Sequence, residues 1–164
     1  MQATEKRALS ALDRPVLAAV FTAAMYAVFV YLRLLASGYD ASVFVQAGDR
    51  LTDPAAVSIH VLPNSLGYDG QAYYRLALDP FTSRQDAYGI HLDNPPYRQQ
   101  RILYPLLGWI LSFGHAAALP VVLRALSELY MFSTLAVAGG RPSALSWRLY
   151  AYSFPLWILE FLRT

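Results

Sequence analysis

Pro15-Val-Leu-Ala-Ala-Val-Phe-Thr-Ala-Ala-Met-Tyr-Ala-Val-Phe-Val-Tyr-Leu32 and Ile102-Leu-Tyr-Pro-Leu-Leu-Gly-Trp-Ile-Leu-Ser-Phe-Gly-His-Ala-Ala-Ala-Leu-Pro-Val-Val-Leu123 contain no Asp, Glu, Lys or Arg. Mostly apolar runs of about 18 or more residues are long enough to cross a ~30 Å hydrocarbon core. The composition leans the same way: of 164 residues 56% are hydrophobic and 15% charged, against about 25% charged in an ordinary soluble domain. The expectation is an all-α fold, a polytopic membrane helical bundle. A soluble enzyme and a disordered chain are both excluded on this reading. A net charge of +2 with a single lysine gives no footing for nucleic acid, and the absence of cysteine excludes disulfides, thiolate metal sites and a thiol nucleophile.

Working outward from these runs, the chain reads as one membrane domain, 1–164. A first transmembrane segment is expected at 15–36, with a cleaved signal peptide as the alternative. Lys6, Arg7 and Arg14 precede it, so the positive-inside rule places the N-terminus in the cytoplasm of a multi-pass protein of the inner (plasma) membrane. Residues 37–101 then form an extracytoplasmic loop with seven aspartates, five arginines and six tyrosines. That content is too aromatic for disorder. Two short helices are expected inside it: an amphipathic piece over Ser42–Arg50, and Asp69–Asp79, with Asp69 as N-cap and Pro80 as terminator. Beyond the loop, 102–117 is a second crossing or a re-entrant segment, 119–138 a third and 144–162 a fourth. Arg124 and Glu128, four apart, share a helix face.

The chemistry concentrates in the loop. Sugar transfer to a hydroxyl needs a base for its proton, and a carboxylate serves. Asp69, followed by Gly70 and its open backbone space, is the first candidate; Asp40 and Asp49 are the alternatives. A leaving phosphate needs cationic help, which Arg98 and Arg101, three apart at the mouth of an apolar helix, offer as planar forks. Tyr68, Tyr73, Tyr74 and Tyr97 supply surfaces for a sugar or an acceptor path, and Gln71 is grouped with the substrate-binding side chains. The plainer readings stand beside these: Asp69 as a helix cap, the arginines and tyrosines as markers of a membrane boundary. His60, His91 and His115 have no ligand spacing, so no metal site and no cofactor are assigned. A divalent ion on Asp40, Asp49 and Asp69 is the alternative.

Gly67-Tyr-Asp-Gly-Gln-Ala-Tyr-Tyr-Arg-Leu-Ala-Leu-Asp-Pro80, with Tyr97-Arg-Gln-Gln-Arg-Ile-Leu-Tyr-Pro105 after it, resembles bacterial integral-membrane glycosyltransferases of the GT-C type. In layout it is similar to the GPI-anchor mannosyltransferases that add the second mannose. Gly48-Asp-Arg50 with Asp53-Pro54 fits the same group. The resemblance covers about residues 40–110. It implies a hexosyltransferase that moves a sugar from a polyprenyl-phosphate donor to a cell-surface glycan or lipid, with membrane lipids as surroundings. Such enzymes carry eight or more crossings, so the chain reads as an N-terminal portion completed by C-terminal helices or by another membrane protein. The alternative is a non-catalytic scaffold or a transporter or channel subunit.

Overall fold

The computed structural model describes residues 20–139, with side chains as far as Tyr130. The chain divides into two units, Met1–Val30 with Tyr130–Thr164, and Tyr31–Leu129. Of the first, the described residues are the helical stretches 20–30 and 130–139. The expected segment at 144–162 and the start of the one at 15–36 lie outside the described residues.

In chain order the elements are helix α1 (to residue 36), a 3-10 turn at Ala41–Phe44, β1 (Ala47–Gly48), β2 (Val61–Leu62), α2 (Asp69–Leu78), β3 (Asp86–Ala87), β4 (Ile90–His91), α3 (Pro95–Gln99), α4 (Leu103–Leu111) and α5 (Leu119–Gly139). The expectation of an all-α polytopic membrane bundle is therefore corrected. Among the described residues no helix is long and apolar enough to cross a membrane, and two small sheets are present. The physical reason lies inside the apolar run 102–123. Phe113 and Gly114 take left-handed φ of 52° and 72°, and the Gly114 N–H returns to the Trp109 carbonyl at 3.1 Å. This is the glycine-led close of a helix. It leaves α4 at nine residues, about 14 Å long, under half a bilayer core.

The segment 37–101, expected to be a loop with two helices, holds most of the core of the Tyr31–Leu129 unit. Val45, Ala47, Ile59, Tyr74, Ala77, Ile90, Leu119 and Leu123 form one buried cluster, and Ala72, Leu76 and Leu92 a second. The expected helix over Ser42–Arg50 is instead the 3-10 turn followed by β1, which pairs in parallel with β2 (Ala47 with Val61, Gly48 with Leu62). A Cβ on Gly48 would stand 2.2 Å from the Gly67 nitrogen and 2.4 Å from the Ser65 carbonyl oxygen. Two stretches of backbone touch there with no room for a side chain. Gln71, buried on α2, locks this neck: its Oε1 accepts from the Gly48 N–H (3.1 Å) and the Thr52 hydroxyl (3.0 Å), and its Nε2 donates to the Leu66 carbonyl (2.6 Å).

Helix α2 runs as the sequence predicts and stops before Pro80, but its N-cap is Tyr68. Asp69 is the first helical residue, where a carboxylate suits the positive end of the helix without capping it. β3 and β4 form a hairpin, Asp86 opposite His91 and Ala87 opposite Ile90. Its turn is Tyr88-Gly89, both left-handed at φ 53° and 71°, the backbone of a type I′ turn. Helix α4 buries Pro105 and Gly108, and its C-cap Ser112 is buried with them. Gly108 lies against Leu123 and Ala77, while the Tyr104 hydroxyl donates to the Leu123 carbonyl at 2.7 Å. Arg124 and Glu128 pair at 2.8 Å, and the guanidinium lies 4.4 Å over the Phe44 ring.

Candidate functional site

Asp93-Asn94-Pro95-Pro96 builds one wall of the candidate site. The Asn94 side chain accepts from the Tyr97 N–H at 3.3 Å, and the prolines occupy the first helical positions, where a missing N–H costs nothing. The short helix α3 that results carries Tyr97 and Arg98 against the start of α2. Arg98 Nη1 donates to Asp69 Oδ1. The same guanidinium reaches Asp93 through Nε at 2.9 Å and Nη2 at 3.1 Å. One planar fork thus joins two carboxylates from different parts of the chain.

Arg101 completes the cluster more loosely. Its Nη1 stands 3.5 Å from Asp69 Oδ2 and 3.3 Å from the Tyr73 hydroxyl, its Nη2 3.1 Å from the Tyr97 hydroxyl. Tyr73 stacks edge-on against Tyr104, centroids 5.2 Å apart. The two arginines differ in freedom: the Arg98 side chain is 16% exposed and that of Arg101 52%. Arg98 is fixed from both sides, whereas Arg101 can leave Asp69 at little cost.

The electrostatics follow from these contacts. The Asp93 carboxyl is held below the usual carboxylate range by the bonds from Arg98. Arg98 is pushed up first by Asp93, with Asp69 adding to the effect against partial burial. Arg101 is raised first by its bond to Tyr73.

Of the residues expected at a site, Asp69, Arg98, Arg101, Tyr73 and Tyr97 are brought together. Asp40 and Asp49 are not. Asp40 accepts from the Ser42 N–H at 2.9 Å and caps the 3-10 turn. Asp49 accepts from the N–H groups of Asn64 (2.8 Å) and Ser65 (3.0 Å), which hold its carboxyl below the ordinary value. Gln71 is spent on the Gly48 neck, Tyr68 is exposed ahead of α2, and Tyr74 is buried in the core. Burial pushes the Tyr74 phenol up. The space beside Gly70 is not open, because a Cβ there would meet the Val45 carbonyl oxygen at 2.3 Å. Among the described residues no three His, Cys, Asp or Glu side chains gather as a metal site.

Sequence reasoning missed Asp93, which lies five residues before Arg98, off any helical repeat. The Asn-Pro-Pro that starts α3 was the available signal. A separate cleft of about 630 Å³ is lined by Asp49, Arg50, Thr52, Asp53, Asp86 and His91, among others, and by no member of the Asp69 cluster. Its one close side-chain pair, His91 Nδ1 with Asp86 Oδ1 at 2.6 Å, joins residues already opposite each other in the β3–β4 ladder. Compared with family models, curated proteins and solved structures, the chain matches none of them.

Proposed function

We propose that the Asp69–Arg98–Arg101 cluster is the phosphate-holding and proton-accepting part of a glycosyltransferase that takes its sugar from a polyprenyl-phosphate donor. The observation that carries this reading is the unequal grip on Asp69: firm from Arg98, loose and half-exposed from Arg101. A phosphate presents a better partner to Arg101 than a carboxylate oxygen at 3.5 Å. When Arg101 turns to it, Asp69 Oδ2 is released while Arg98 and Asp93 keep the carboxylate in place. The acceptor hydroxyl, of a cell-surface glycan or lipid, then attacks the anomeric carbon. A new carbon–oxygen bond forms as the bond to phosphate breaks. The hydroxyl proton passes to Asp69, and the electron pair leaves with the polyprenyl phosphate, whose added charge Arg101 holds. Tyr73 and Tyr97 orient Arg101 through their hydroxyls. Membrane lipids are the setting, because the donor is one.

The test is transfer by the full chain in vesicles containing a polyprenyl-phosphate sugar and an acceptor. Asp69→Asn removes the base and is expected to slow transfer by about 10²–10⁴-fold. Arg101→Lys keeps the charge without the fork and raises the donor KM. Undiminished transfer by Asp69→Asn returns Asp69 to a structural ion pair. The non-catalytic scaffold is the competing reading, favoured by the fact that both Asp69 oxygens already face arginines. Transfer that survives Asp69→Asn, with the donor KM unchanged in Arg101→Lys, decides for it as the role of the cluster.

A further inference from the structure

Helix α2 carries an arginine, Arg75, that the cluster at its start does not use. Arg75 has no solvent exposure at all. Its Nε, Nη1 and Nη2 find no hydrogen-bond partner among the described residues. A guanidinium has five donors and stays charged in proteins. Burying one unpaired costs far more than burying an apolar side chain of its size, and such charges are ordinarily paired.

The surroundings do not supply the missing acceptor. Burial is the largest influence on the guanidinium and lowers its affinity for the proton; Asp79 and then Tyr88 favour its ionised form, and Arg84 opposes it. Two cations against one carboxylate leave one positive charge uncompensated. The contact that does form is with Tyr88, whose ring centroid lies 4.9 Å from Arg75 Cζ.

Tyr88 is placed by its turn. It sits at φ 53° in the β3–β4 turn, a conformation that bulky side chains rarely adopt. Its side chain is half out in solvent, at 53% exposure. The turn backbone beneath is anchored: the Gly89 carbonyl accepts from the Asp53 N–H at 2.8 Å, and the His91 N–H donates to the Leu51 carbonyl at 2.7 Å. The ring that covers the guanidinium on one side is thus carried by an anchored turn and faces solvent with its other side.

We propose that Arg75 is the binding group of an oxyanion site roofed by Tyr88, which takes a phosphate or carboxylate group. The site is distinct from the Asp69 cluster and does not depend on the function assigned to it. Arg84 adds attraction for the entering anion.

The experiment is thermal melting of the purified full chain carrying Arg98→Gln and Arg101→Gln, so that the outer arginines take no part. Inorganic phosphate is titrated against chloride at equal ionic strength, and acetate is run in parallel. Phosphate at about 100 times its Kd is expected to raise Tm by several degrees. Arg75→Met fills the same volume without charge; it is expected to melt no lower than its parent in chloride and to lose the response to phosphate. Tyr88→Asn, which tolerates the left-handed turn, keeps the response. A response to acetate as large as that to phosphate assigns the site to carboxylates; a smaller one assigns it to phosphates. An unchanged phosphate response in Arg75→Met overturns the proposal, as does no response in the parent. So does a loss of Tm in chloride shared equally by Arg75→Met and Asp79→Asn, because the guanidinium would then already have Asp79 as its partner.

Discussion

At the scale of single residues, the carboxylates that matter to this structure are the ones with backbone or guanidinium donors aimed at both oxygens. Asp49 ties Asn64 and Ser65 to the end of β1, and Asp93 holds Arg98 from the side opposite Asp69. Both have folded-state pKa values below their ordinary ones, whereas in the unfolded chain they titrate near about 3.9. The unfolded state therefore binds their protons more readily. Their contribution is fully present above that value and is lost as pH falls through the folded values. The melting temperature is expected to hold from pH 7 to 5 and to drop below about pH 4. Asp49→Asn should melt lower at neutral pH and show a shallower acid drop. A melting temperature flat down to pH 2.5 would remove this account. Asp69, Arg98 and Arg101 were legible beforehand because an aspartate at a helix start and arginines three apart are local patterns. Asp93 was not, since its role depends on a turn that brings it back onto Arg98.

Among the elements, α2 is set by a contact the sequence conceals. Gly70 looks like freedom beside a catalytic candidate; in the structure it is where the helix meets the Val45 carbonyl, with 2.3 Å left for a Cβ. The neighbour is backbone and cannot rotate away. Gly70→Ala is therefore expected to destabilise by about 1–3 kcal/mol despite alanine's better helix propensity, read as a lower denaturation midpoint at unchanged slope. An equal or higher midpoint would show that α2 can shift off the 3-10 turn. The helical pattern of 69–78 was legible from its cap region and Pro80, but the stretch over Ser42–Arg50 was not. Its alternation of small and apolar residues fits a helix as well as it fits a turn and strand, and only the parallel pairing to Val61 and Leu62 decides between them. Pairings across so many residues leave no local mark.

For the whole molecule, hydrophobic content was a sound guide to apolar surface and a poor one to architecture. The run 102–123 is apolar, as read, but two left-handed residues in its middle divide it. Helix α4 then buries small residues and turns Leu103, Leu107 and Ile110 outward, and Phe113 just after it is 87% exposed. Contiguous apolar faces of this kind mark contact surfaces, and a helix can rest its apolar face in the headgroup boundary without crossing. If membrane lipids are the partner, a polarity-sensitive dye on Leu107→Cys, a unique thiol in a chain without cysteine, should shift to the blue on mixing with phospholipid vesicles. The same dye on Ser83→Cys should not. Equal responses at the two positions would dissociate α4 from any lipid surface. The fold class was not recoverable from composition because an outward apolar helix and a spanning one draw on the same residues.

The Gly48–Gly67 crossing has a practical side. The segment from Asp49 to Leu66 starts and ends at this one point, where Gln71 bolts the two strands of chain together, and returns to the core in between through Thr52 and Ile59. A segment gathered at its base can be lengthened at its tip, since loop-closure entropy grows only slowly with length. Pro54, Ala55 and Ala56 are exposed at that tip. An epitope spliced between Ala55 and Ala56 should leave expression and melting near those of the parent, whereas the same epitope between Gly48 and Asp49 should abolish folding. The tip is thus a natural handle for labelling, and the crossing is a point where not even a methyl group can be added.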